Sequence, residues 1–112
     1  MKDLLYLSNI IESINLIKQY IKFKDISDLK KSNLLKDAVC KRVEEIGENI
    51  KKISSKTKKL YPKIDWDAFV EVRNFLTHVY QMVNLQKLWR ILHHDIPLLE
   101  KQIKEIIEKN EI

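Results

Sequence analysis

The sequence is short of everything that interrupts a helix. Its 112 residues hold one glycine and two prolines, too few for the turns of an all-β domain or for a disordered, low-complexity chain. A lone cysteine, Cys40, rules out an internal disulfide and fits a reducing cytoplasm. No apolar run approaches the roughly eighteen residues of a membrane span. Nothing at the N-terminus reads as a signal peptide, because Met1-Lys2-Asp3 runs straight into an amphipathic pattern. The chain has no glycine-rich phosphate loop, no cysteine pair, no H-E-x-x-H and no Glu-x-x-His. Nucleotide-cradling loops, structural zinc and ferritin-like di-metal bundles are therefore set aside, and no metal or cofactor is expected. What is present is 45% hydrophobic and 33% charged, with a formal net charge of +5. That balance permits an acidic partner such as RNA, although ordinary lysine-rich proteins share it.

The apolar residues repeat at helical spacing nearly throughout, and the length suits one domain with one core. Leu7, Ile10, Ile14, Ile17 and Ile21 mark a first helix from about Asp3 to Phe23. Lys24 to Ser32 is polar and reads as a connection with at most one helical turn. Ser32 or Asn33 can cap a second long helix, whose stripe is Leu35, Val39, Val43, Ile46, Ile50 and Ile53. Gly47 sits inside it at a cost of about 1 kcal/mol relative to alanine, which marks close approach by another helix. A third helix begins at Asp65, a plausible cap, and runs to about Tyr80. Asn84 can cap a fourth, in which Leu85, Leu88, Trp89, Leu92, Ile96, Leu99, Ile103 and Ile106 keep one phase across Pro97. Either that helix bends and continues, or it breaks at Asp95 with Pro97 in the next first turn. Together these predict an all-α, antiparallel four-helix bundle, with up to five helices, as a single domain.

Between the second and third long helices, Lys51 to Lys63 carries six lysines and no acid: Lys51, Lys52, Lys56, Lys58, Lys59 and Lys63. It reads as a loop or frayed helix end, either a solvated connection or a rim that attracts phosphate without reading sequence. Three other candidates have plainer readings. His93-His94-Asp95 resembles a ligand set in print, but adjacent helical residues diverge, so one histidine is expected at the core edge. Cys40 reads as a small packed hydrophobe. Glu44 and Glu48 read as surface or interhelical ion-pair partners, with general-base work as the weaker alternative.

The stretch Val72 to Tyr80 stands apart. With Arg73 at zero, Tyr80, Thr77, Asn74 and His78 fall at roughly −20°, 40°, 100° and 140° around the helix. Phe75, Val79, Val72 and Leu76 fill the arc from about 200° to 300° as the expected core face. Trp66 and Val70 lie on the Arg73 side, so that side is expected to be covered, with a second subunit as one candidate. Asn74 and His78 are four apart, so the amide can orient the imidazole. Taken singly, Arg73 pairs as readily with an acid of the second helix, and His78 is as readily a satisfied histidine at the core edge. Arg, Asn, His and Tyr on one half-helix are harder to explain by packing. They suit cleavage of RNA without a metal: an imidazole moves the proton of the 2′-hydroxyl or of the leaving oxygen, and a guanidinium offers paired donors to the phosphorane. One histidine does not conveniently play both acid and base, which points to two copies across a two-fold axis.

Arg73-Asn74-x-x-x-His78-x-Tyr80 resembles the R-N-x-x-x-H-x-Y signature of HEPN domains, specifically the HepT-like toxin family. Asp37, Arg42-Val43-Glu44 and Ile46-Gly47-Glu48 resemble that family's second-helix segment, Trp66 the tryptophan opening its third helix, and Trp89 with Asp95-Ile96-Pro97 its last long helix. Departures fall at Asp65, where the family often has proline, and at Glu45 and Asn49, where it prefers apolar or small residues. The resemblance implies a helical homodimer with both motif copies in one cleft, acting as a metal-independent endoribonuclease toxin. It also implies an MntA-like minimal nucleotidyltransferase as antitoxin, which adenylylates the motif tyrosine, here Tyr80. Two other classes stay open: a non-catalytic module that docks such a nucleotidyltransferase, and a plain helical dimerisation protein.

Overall fold

The computed structural model describes residues 2–78 and 84–110. Lys2–Ile21 forms α1, Ile26–Lys31 α2, Asn33–Lys52 α3, Ser55–Leu60 α4, Trp66–His78 α5, Leu85–Arg90 α6 and Ile96–Asn110 α7. A π-helical turn, Ile91–Asp95, joins α6 to α7 without a break. The fold is an all-α bundle, as the repeat of apolar residues predicts.

The predicted stripes become the core. Ile10, Ile14 and Ile17 of α1, Val39, Val43, Ile46 and Ile50 of α3, and Ile96, Leu99, Ile103 and Ile106 of α7 are all buried. Burying each such side chain contributes about 1.5–3 kcal/mol before the entropy of ordering is subtracted. One polar bond ties α1 to α3, which run antiparallel, and a second, within α3, holds its acceptor in place. The Asn9 amide donates to Asn49 Oδ1 (3.2 Å), and Asn49 Nδ2 donates in turn to the Glu45 carbonyl (2.8 Å). Asn49 is thus a buried amide with both ends satisfied, which explains how α3 tolerates it. At the N-terminal end of α1, Asp3 accepts from the Ser54 N–H (3.0 Å), the Ser54 hydroxyl and the Thr57 hydroxyl (2.6 Å).

Ser32 caps α3 and Asn84 caps α6, each accepting from the backbone N–H three residues on (3.0 and 3.1 Å). Two short helices replace expected loops. α2 is set up by a capping box in which Asp25 and Asp28 each accept from the other's backbone N–H at 2.9 Å, and Leu29 anchors it in the core. α4 is capped by Ser54, whose hydroxyl accepts from the Thr57 N–H, so the middle of the lysine-rich segment is a capped helix, with Lys51 and Lys52 ending α3 and Lys63 lying past α4.

The last helix bends as one of the two expected alternatives has it, and the π-turn is the reason it need not break. Pro97 has no N–H, and its ring would strike the carbonyl of residue 93 in a regular helix. The Ile96 N–H instead reaches back five residues to the Ile91 carbonyl, widening the turn just before the proline. The wide turn adds one residue to the cycle and slips the phase upstream of it. Extending the α7 stripe backwards in regular α-geometry would bury Trp89 and Leu85; the core instead takes Ile91 and Leu88 along with Leu92. Trp89 is left half-buried, with its ring stacked on His93 at a centroid distance of 4.0 Å. The expectation of one histidine at the core edge is therefore corrected: His93 and His94 are both exposed, and His94 pairs with Asp95 at 2.9 Å.

Candidate active site

α5 begins where expected. Asp65 Oδ1 accepts from the Ala68 N–H (3.2 Å), and Trp66 closes the entry by donating its indole N–H to the Tyr61 carbonyl (3.1 Å). Trp66, Phe69 and Leu76 are buried, whereas Val70 and Val72 are half-buried. On the wheel used above, the three buried residues lie at roughly 20°, −40° and −60°. Among the described positions the buried edge of α5 thus reaches from Leu76, on the expected core arc, round to the side of Arg73, while the side chain of Phe75 and all of Val79, on that arc, lie outside the described residues. The cover expected over Trp66 comes from the chain itself. The side chains of Phe75, Thr77 and His78, and all of Val79 and Tyr80, lie outside the described residues.

Gly47 is what lets Arg73 and Phe69 lie against α3. A Cβ built there would lie 2.5 Å from Arg73 Cβ, 2.9 Å from the Phe69 carbonyl oxygen and 3.1 Å from Arg73 Cγ. Only a residue without a side chain lets α5 settle on α3 at this point. The close approach read from the sequence is real, and the residue that approaches is Arg73. Its stem lies over the glycine, and among the described residues Glu48 and Asn74 hold its guanidinium. Nη2 forms an ion pair with Glu48 of α3, and Nη1 donates to Asn74 Oδ1 at 2.8 Å. The side chains are 27% and 35% exposed for Arg73 and Glu48. An ion pair that wet contributes on the order of 0.2–1 kcal/mol to folding, so its chief effect is on where the guanidinium points.

The Asn74 oxygen is taken by Arg73, and the expected pairing of Asn74 with the His78 imidazole lies outside the described residues. Arg73 and Asn74 are brought together, then, with Glu48 as the partner that the sequence had only as one of two candidate ion-pairing acids.

The six lysines separate. The Lys52 ammonium lies 5.8 Å from the centre of the Tyr6 ring, and Lys58 adds its charge to the surroundings of Asp3. Lys58, Lys59 and Lys63 line a groove of about 610 Å³ with Ser55, Asp65 and Asp67 at the N-terminal end of α5. At 1.5 Å per residue, that end lies roughly 10 Å along the axis from Arg73. Cys40 is buried, and its thiol is pushed up to about 11, first by burial and then by Glu44 and Asp37, which suits a packed residue and not a nucleophile. Among the described residues, no group of three or more His, Cys, Asp or Glu could hold a metal ion, and no helix is long and apolar enough to cross a membrane.

Residues 10–106 match the family described as Ribonuclease HepT-like, which takes in every element that builds this site. The chain belongs to the HepT-like ribonuclease family. A probable ribonuclease HepT of Thermococcus cleftensis is 34% identical over 90% of this chain and 92% of its own. A candidate RNase of Caldanaerobacter subterraneus subsp. tengcongensis is 31% identical over 93% of each. A Methanocaldococcus jannaschii protein, described as a gamma-glutamylcyclotransferase and candidate RNase, is 40% identical over 94% of this chain, which spans only 47% of that longer protein. No solved structure matches. The family resemblance drawn from Arg73-Asn74-x-x-x-His78-x-Tyr80 and the α3 segment is thus borne out at family level.

Proposed function

We propose that this HepT-like chain is a metal-independent endoribonuclease, the toxin of a two-gene module, and that it works as a homodimer with both copies of Arg73 and His78 around one cleft. The observation that carries the reading is the guanidinium of Arg73, seated on Gly47 and fixed by Glu48 and Asn74 in a family of ribonucleases. In this mechanism one His78 takes the proton of the 2′-hydroxyl, whose oxygen attacks phosphorus. The partner's His78 gives a proton to the departing 5′-oxygen, and a 2′,3′-cyclic phosphate remains. Arg73 offsets the charge gathering on the phosphorane, where fixed donors contribute most. Asn74 contacts phosphate or orients its neighbours, and Tyr80 touches the substrate. Lys51, Lys52, Lys56, Lys58, Lys59 and Lys63 attract the RNA backbone, with the groove of Lys58, Lys59 and Lys63 best placed to take a phosphate a nucleotide or two from the cut.

The partner is an MntA-like nucleotidyltransferase antitoxin that adenylylates Tyr80. A nucleotide there puts negative charge and bulk near Arg73 and bars the RNA phosphate from the same cation. Both proteins act in the cytoplasm.

The test is total RNA incubated with the purified protein in EDTA, beside Arg73→Ala and His78→Ala. Wild type cleaves, and both variants lose cleavage. The second reading, a non-catalytic module that docks the nucleotidyltransferase, is favoured by the Glu48 pair, since Arg73 already has a carboxylate partner. RNA left equally intact by all three proteins decides for it.

A further inference from the structure

We infer that Glu48 is a positioning residue for the proposed RNA cleavage, holding the Arg73 guanidinium in the orientation that receives the phosphorane. The inference rests on the ribonuclease reading above and adds to it a residue from a different helix. A guanidinium on its three-carbon stem has many rotamers, and a group that stabilises a transition state must be held to within about 0.5 Å of its productive place. Among the described residues, three contacts hold Arg73. Gly47 fixes the distance of its stem from α3, Asn74 takes Nη1, and Glu48 takes Nη2.

Glu48 is suited to this because the turn that carries it is among the firmest in the chain. Ile46, Gly47, Asn49 and Ile50 around it are buried, and Asn49 is tied to Asn9 and to the Glu45 carbonyl. A carboxylate standing on that turn sets the plane of the guanidinium instead of following it. The pair is too exposed to add much to folding, so stability alone does not account for a charged contact between α3 and the one arginine of α5. The opposite role is that of a competitor, a carboxylate that occupies Arg73 until phosphate displaces it. The second hold from Asn74 speaks against that, since two acceptors on two nitrogens orient a guanidinium that one competitor would merely occupy.

The experiment measures kcat and KM for RNA cleavage by the purified full chain with Glu48→Gln and Glu48→Ala, alone and combined with Arg73→Ala. Positioning predicts that Glu48→Ala lowers kcat on the order of 10²-fold and changes KM by less than about threefold. Glu48→Gln keeps the shape and one acceptor oxygen, so it loses only about three- to tenfold, with an unchanged urea midpoint. In the Arg73→Ala background, Glu48→Ala costs nothing more. Glu48→Gln equal to or faster than wild type, or tighter RNA binding by Glu48→Ala, overturns the inference in favour of the competitor or of a passive surface pair. Independent losses from Glu48 and Arg73 also overturn it. Should Glu48→Ala fail to fold, the Glu48→Gln measurement decides alone. Wild type that leaves RNA intact refutes the ribonuclease reading itself, and this inference with it; wild type that cleaves, with Arg73→Ala cut to a small residual rate and Glu48→Gln unimpaired, refutes only the inference.

Discussion

Replacing Gly47 by alanine tests the geometry of the site with one methyl group. On an exposed helix the change stabilises by about 1 kcal/mol, because alanine is the better helix former. Here the new Cβ would lie 2.5 Å from Arg73 Cβ and 2.9 Å from the Phe69 carbonyl oxygen. Neither atom is the loose end of a side chain, so α5 itself must back away, by about 1 Å to reach ordinary contact. Overpacking of this kind costs about 1–3 kcal/mol, which outweighs the propensity gain at all but its lowest value. The net expectation is a destabilisation of about 1 kcal/mol, or a Tm lowered by about 4–8 °C in a domain of this size. The larger effect is on catalysis, since the same 1 Å carries the stem of Arg73, and misplacement by that distance costs about 10²-fold in rate. Thermal melts followed by circular dichroism and initial rates of RNA cleavage report the two quantities separately. A Gly47→Ala protein with a raised Tm and full activity would refute both the close approach and its link to the site.

Three further outcomes follow from other contacts. Asp3 is held below the ordinary carboxylate value of 3.8: burial pushes it up, but hydrogen bonds from Ser54 and Thr57 and the charge of Lys58 outweigh that. A depressed pKa means stability that is present above pH 3.8 and lost as pH falls through the lower folded value. Asp3→Asn should therefore cost about 1 kcal/mol at pH 7 and flatten the acid limb of a urea-midpoint titration; an unchanged limb would contradict it. Cys40, buried and raised to about 11, should resist a thiol reagent at pH 8 in the native protein and react on unfolding, and rapid native labelling would show the packing to be wrong. Asn49→Ala leaves the Asn9 amide and the Glu45 carbonyl without their partner and should cost about 1–3 kcal/mol, whereas a urea midpoint equal to wild type would argue against the buried bridge.

Which parts of this were legible in the sequence follows from what each part depends on. α1, α3 and the outer half of α7 are long enough for their stripes to average out noise, and Ser32 and Asn84 cap by purely local chemistry. α2 and α4 are six residues each, too short for any period to show. α4 in addition leans on Asp3, fifty-one residues before Ser54, a tie that no local window contains. The burial of Ile91 in place of Trp89 depends on a phase slip, and Pro97 was its only local sign. At the site, Gly47 and the Arg73–Asn74 pair stood out by residue type alone. That Arg73 is the residue seated on Gly47 did not, because it is set by where α3 lets α5 rest. For the same reason the bond from Arg73 to Asn74 Oδ1 is not legible in the motif alone.

The claim that two copies build one working site is tested most directly by mixing wild type with His78→Ala, letting subunits exchange, and measuring cleavage against the wild-type fraction. If each cut draws on both histidines, mixed dimers are dead, and activity follows the square of that fraction, falling to about one quarter at an equal mixture. A straight line, with about half the activity at an equal mixture, would mean that each copy works alone and would contradict the account.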